Sequence, residues 1–172
     1  LQALVGPDSR NGVRYPLKSN AYENILEGTW EVFGGYLDGA REALICVVSA
    51  APLGEPAHAA LQSSFARLGY GTTAGTFLSL SGTEPGDGVP PLGEKEVFTV
   101  LEGLDPLMLL VTDAEAGAAC SRAYGQELPL DRRSRLFGRE ARAFSSFGAM
   151  LDSPKGKQAA WALLKSLPKA VS

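Results

Sequence analysis

The chain has 172 residues, 45% of them hydrophobic and 20% charged, with a formal net charge of −3. Those proportions suit one ordinary soluble domain and exclude a disordered or fibrous chain. No apolar run approaches the roughly 18 residues that a membrane-spanning helix needs, and two cysteines with one histidine are too few for the usual four-ligand Cys/His metal sites.

Residues 1–20, with Pro7, Gly12 and Pro16 among polar neighbours, read as an irregular arm, and residues 21–172 as a single domain. The opening LQALVGPDSR has no basic flank leading into an apolar stretch, so no secretory signal is expected there and the expected location is cytoplasmic; a start at Leu1 suggests an absent upstream segment. From Ala21 to Ala40, Tyr22, Ile25, Leu26, Trp30, Phe33 and Leu37 recur at helical intervals, with Gly28, Gly34 and Gly35 as points of division. Ala43 to Val48 is a continuous apolar run, the pattern of a strand buried on both faces. Pro52 and Gly54 end it, and Pro56 to Leu68 alternates as an amphipathic helix closed by Gly69.

The pattern then repeats. Thr76 to Leu80 reads as a strand, Ser81 to Gly93 as a loop, and Glu94 to Leu104 as a helix with Val97, Phe98, Val100, Leu101 and Leu104 as its buried stripe. Leu107 to Val111 is a third buried strand, and Thr112-Asp113 caps a helix through Tyr124. A fourth strand is expected within Arg135 to Phe144, and a final helix over Pro154 to Leu167. Strands alternating with helices at this spacing predict an α/β fold: three layers, α/β/α, around a central, mainly parallel, four-stranded sheet.

In such folds ligands bind where the strands end at their carboxyl side. The loops there are Ser49–Glu55, Ser79–Gly93, Thr112-Asp113 and Ser145–Gly148. Candidate cleft residues are therefore Ser49, Pro52, Gly54, Ser79, Ser81, Asp113 and Ser146. Glu55 and His58, the only histidine, are the candidates for acid–base chemistry, although no G-x-S-x-G elbow surrounds any serine. Cys46 and Cys120 fall inside a strand and a helix, where cysteine behaves as a small apolar residue. No Walker sequence and no G-x-G-x-x-G between a strand and a helix is present, so no cofactor and no metal is expected. Charge is polarised along the chain: residues 132–172 carry nine cations against two acids, a net +7, and the first 131 residues seven cations against seventeen acids, a net −10. Arg132, Arg133, Arg135, Arg139 and Lys155 are the candidate contacts for DNA or another phosphate-bearing ligand.

Three stretches carry a likeness to a known family. Val48-Ser49-Ala50-Ala51-Pro52 is similar to a strand-end V-G-E-A-P. Glu94 to Ala119 matches a helix leading through Asp-Pro into a third strand and an alanine-rich helix. Phe147 to Lys155, followed by Lys157, Trp161, Leu164 and Leu167, looks like an ending in which a His-Pro-Ser/Ala-x-Leu-Leu loop precedes a D-P…K…A-W-x-x-L helix. Over about residues 43–168 the chain thus resembles the uracil-DNA glycosylase superfamily, particularly its iron–sulfur bacterial and archaeal branch. The resemblance implies that family's fold. It also implies loss of its activity: the catalytic acid would fall at Ala50, the uracil-reading asparagine near Leu80 and the final-loop histidine near Ser146, and the cluster cysteines are missing. The expectation is a catalytically degenerate glycosylase-like domain that binds nucleic acid or a phosphate-bearing ligand. The alternatives are a divergent base-excision glycosylase or related hydrolase using Glu55 and His58, and an interaction or small-molecule-binding α/β domain on an inherited scaffold. Oligomeric state and sheet order are not legible.

Overall fold

A computed structural model describes residues 16–84 and 88–169. Among them are six α-helices and one six-stranded sheet. In chain order the elements are α1 (Pro16–Phe33), a 3₁₀ turn (Gly34–Tyr36), β1 (Leu37–Gly39), β2 (Ile45–Ser49), α2 (Glu55–Arg67) and β3 (Gly75–Ser79). There follow α3 (Glu94–Leu104), β4 (Met108–Val111), α4 (Ala114–Tyr124), β5 (Arg133–Leu136), β6 (Arg139–Ala143), α5 (Phe147–Met150) and α6 (Pro154–Lys165).

The sheet order is β1-β3-β2-β4-β6-β5. The inner strands β3, β2, β4 and β6 run parallel, while β1 and β5 pair antiparallel at the two edges. The expected four-stranded sheet is therefore corrected to a mixed sheet of six. Both edge strands have a local cause. The glycines at 34 and 35 end the long helix early, and Leu37, only 5% exposed, turns inward opposite Leu78. The fourth strand is in fact a hairpin. Phe137 and Gly138 form its two-residue turn with φ of +51° and +89°, left-handed at both positions, which matches the natural twist of paired strands. The helix expected over 21–40 starts earlier and stops sooner: α1 takes the last five residues of the expected arm, whose residues 1–15 lie outside the described ones.

Alternation along the inner strands divides the core. Cys46, Val48, Leu109 and Val111 face a layer of α1, α3 and α4, with Leu26, Val97, Leu101, Leu104 and Cys120 filling it. Ile45, Val47, Met108 and Leu110 face the other layer, where Leu61 and Phe65 of α2 meet Phe144, Phe147, Ala160 and Leu164. This is the three-layer arrangement, with β2 and β4 buried throughout, and β3 and β6 buried except at Phe77, Arg139 and Glu140, because helices cover both faces. Leu61 and Phe65 are 0% exposed, and each such side chain contributes about 1.5–3 kcal/mol by leaving water. The guanidinium of Arg67 lies 4.0 Å over the Trp161 ring and ties α2 to α6. On the opposite face Gly103 lets α1 approach α3, since a β-carbon there would run into Thr29. Among the described residues no helix is long and apolar enough to cross a membrane.

Candidate functional site at the carboxyl ends of the strands

The first inner strand in the chain, β2, lies between the second and third, β3 and β4. Chain order reverses between β2 and β4, which makes their carboxyl ends the switch point where such sheets bind ligands. Asp113 occupies that position. As the N-cap of α4 it accepts from the Ala116 N–H at 2.8 Å through Oδ1. Its Oδ2 accepts from the Ala50 N–H at the end of β2 and from Thr112 Oγ1, both at 3.1 Å. Asp113 also bridges by backbone to Ser146. The carboxylate thus joins the ends of β2 and β4, the backbone of the same residue reaches the loop after β6, and three accepted hydrogen bonds hold these loops together.

The neighbouring candidates are arranged around it in two groups. Ser81 donates its N–H to the Ala50 carbonyl at 3.1 Å, and Ser146 caps α5 by accepting from Ala149 N–H at 3.2 Å. Both serve the loop framework. Ser49, Pro52, His58 and Ser79 line a cavity of about 80 Å³ between the ends of β2 and β3, joined by Asp38 from β1 and by Thr83. The His58 ring stacks on Phe77 with centroids 4.2 Å apart, and its backbone N–H donates to the Gly54 carbonyl at 3.0 Å. Ser79 Oγ donates to the Gly82 carbonyl at 2.8 Å. Ser49 is only 5% exposed. Asp38 was missed because it belongs to an edge strand that reads as helix. Glu55 stands at the first position of α2, exposed, where the helix dipole favours a carboxylate, and it does not line this cavity.

These positions limit the chemistry. At these strand ends Ala50, Leu80 and Ser146 supply no imidazole, side-chain amide or carboxylate. Among the described residues no cluster of three His, Cys, Asp or Glu side chains comes together to hold a metal. Burial raises the Cys46 thiol, with the nearby Cys120 adding to the effect, and pushes Cys120 up to about 12; these are packing groups, not nucleophiles.

The five candidate cations do not form one patch. Arg132, Arg133 and Lys155 are exposed. Arg133 stands opposite Arg142 near the carboxyl end of β6, and Lys155 lies in the first turn of α6. Asp131 adjoins them, with its carboxylate accepting from the Ser145 N–H. Arg135 and Arg139 lie at the turn end of the hairpin, where β6 begins. Arg135 pairs with Glu140 at 2.6 Å, and Arg139 bonds Glu102 and Asp105, each at 3.1 Å, and the Pro106 carbonyl at 3.0 Å. Arg135 and Arg139, expected as contacts for a phosphate-bearing ligand, are thus held by acids and carbonyls away from the carboxyl ends of the strands. The acids that neutralise Arg139 come from 34 and 37 residues away, beyond the reach of charge counted along a segment.

Sequence reasoning also missed the role of Arg142. It is 0% exposed, lies 3.0 Å from Glu140, and donates to Ser166 Oγ at 2.7 Å and to the carbonyls of Ser166, Ala141 and Ser134 at 2.8–3.1 Å. Its charge meets the carboxyl end of α6 and locks that helix to the hairpin. No family model matches the chain, and no curated protein matches it.

Proposed function

We propose that this domain is a glycosylase-like scaffold without base-excision activity that binds single-stranded nucleic acid, or another phosphate-bearing ligand, along the carboxyl side of β6 and the start of α6. The observation that carries the reading is the set Arg132, Arg133 and Lys155, exposed and without an ion-pair partner among the described residues. It is supported by the sequence resemblance, which is densest over Phe147–Leu167, immediately beside those cations. The absent chemical groups at Ala50, Leu80 and Ser146 support the loss of excision.

Binding of a labelled uracil-containing single strand and of its uracil-free twin, each at two salt concentrations, tests it. Three phosphate contacts give a slope of about −2 in log K against log salt, or roughly 20-fold weaker binding between 50 and 200 mM salt. The double substitution Arg132→Glu with Arg133→Glu should flatten that slope and abolish binding at the higher salt. No binding at low salt refutes the proposal. Preference for the uracil strand, with alkali-labile sites that disappear in Glu55→Ala, would replace it by the active-enzyme reading built on Glu55 and His58.

A further inference from the structure

A second cavity lies at the other end of the sheet, where the inner strands begin. Its volume is about 810 Å³, within the range of small-molecule sites and ten times that of the space beside His58. Its walls are mostly apolar. Met108 forms part of the floor at 2% exposure, and Leu107 and Phe137 stand at the rim, 63% and 59% exposed. Two of the three non-glycine residues with positive φ, Asp105 at +48° and Phe137 at +51°, border it. Phe137 is the informative one. The first position of a turn of this kind favours asparagine, aspartate or glycine; the phenylalanine there is held left-handed with its ring packed on Tyr124, centroids 5.2 Å apart, and near Phe98 at 6.2 Å, and it also borders the cavity.

The charged groups of the walls state what the cavity takes. Arg135 is committed to Glu140 and to the Gly138 carbonyl, and Arg139 to Glu102 and Asp105. Lys169 lines the same cavity, exposed, with no ion-pair partner among the described residues. The site therefore offers an open, mostly apolar groove and one cation uncommitted among the described residues. We infer that this cavity binds a small apolar anion, a molecule with a hydrocarbon body and a single carboxylate or sulfonate head, the body lying against Leu107, Met108 and Phe137 and the head meeting Lys169. This site is separate from the phosphate-binding edge proposed above and stands or falls without it.

The test titrates the protein with anilinonaphthalene sulfonate, followed by its fluorescence, and displaces the dye with decanoate and with decanol below their aggregation limits. Far- and near-ultraviolet circular dichroism and a cooperative urea transition establish that the protein is folded throughout. Expected are saturable dye binding, displacement by decanoate, and weaker displacement by decanol. Leu107→Asp should weaken decanoate at least fivefold. Phe137→Asn should do the same, the relief of the turn offsetting part of the lost ring contacts to Tyr124 and Phe98 in the urea midpoint. Lys169→Gln should weaken decanoate and leave decanol unchanged. No saturable binding by the folded protein, or equal binding in Leu107→Asp and Phe137→Asn, overturns the site; equal affinity for decanol and decanoate overturns the anionic head.

Discussion

Replacing Asp113 by alanine removes three hydrogen bonds at once: the cap to Ala116, the bridge to Ala50 and the bond from Thr112. A lost aspartate cap costs about 1 kcal/mol. The Ala50 N–H is half-buried, so part of its unmet hydrogen bond returns as hydration, and the bridge is worth about 1–2 kcal/mol, the lower part of the usual range for an unsatisfied donor. Asp113→Ala should therefore cost about 2–3 kcal/mol, or about 5–10 °C in Tm for a domain of this size. Asp113→Ser divides the total, because serine caps a helix nearly as well as aspartate but is too short to reach Ala50; it should cost about 1–2 kcal/mol. Urea unfolding at constant m value measures both. Wild-type stability in Asp113→Ser would refute the bridge between the ends of β2 and β4, and equal losses in the two variants would refute the cap.

Arg142→Met should destabilise by about 2–3 kcal/mol, since it leaves the carbonyls of Ser166 and Ser134 without their buried donor while Glu140 keeps Arg135; a loss below about 1 kcal/mol would show that the hairpin and α6 hold together without it. The two buried thiols should not react with a thiol-specific dye in the folded protein at pH 8 and should both react once urea unfolds it; reaction before unfolding would contradict their burial. Because burial holds the folded thiols above the unfolded value of about 8.5, their contribution to stability is complete below that pH. It is lost as pH rises towards 12, so the urea midpoint should fall across that alkaline window; a midpoint that stays level from pH 8 to pH 11 would contradict the shift.

Much of the fold was legible because its elements are each dictated by local pattern. Val97, Val100, Leu101 and Leu104 recur on one helical face, and α3 spans the expected Glu94–Leu104. The apolar runs around Val47 and Leu110 read as strands buried on both sides, as they are. Asp113 was legible as a cap, since an aspartate before an alanine-rich helix has that use. Its second bond, to Ala50, was not, because it spans 63 residues. β1 was hidden by its brevity and by Leu37 falling in phase with the preceding helix, and the β5–β6 hairpin by its many arginines. The candidate cleft was named largely from loop order, and three of its residues, Ser49, Pro52 and Ser79, meet His58 around one cavity; Asp38 joined them through strand pairing alone.

The sequence by itself determined the alternation of strands and helices, the caps and the two-sided burial of the inner strands, because each depends on a periodicity or a residue within a turn or two of itself. Tertiary structure alone decided the sheet order, the two antiparallel edges and the fate of the cations. Arg133 stays in water, Arg139 is neutralised by the end of α3, and Arg142 is sealed beneath α6. Three arginines within ten residues carry the same formal charge, yet their electrostatic roles depend on acids and carbonyls supplied by distant segments, and on how much water folding leaves around each.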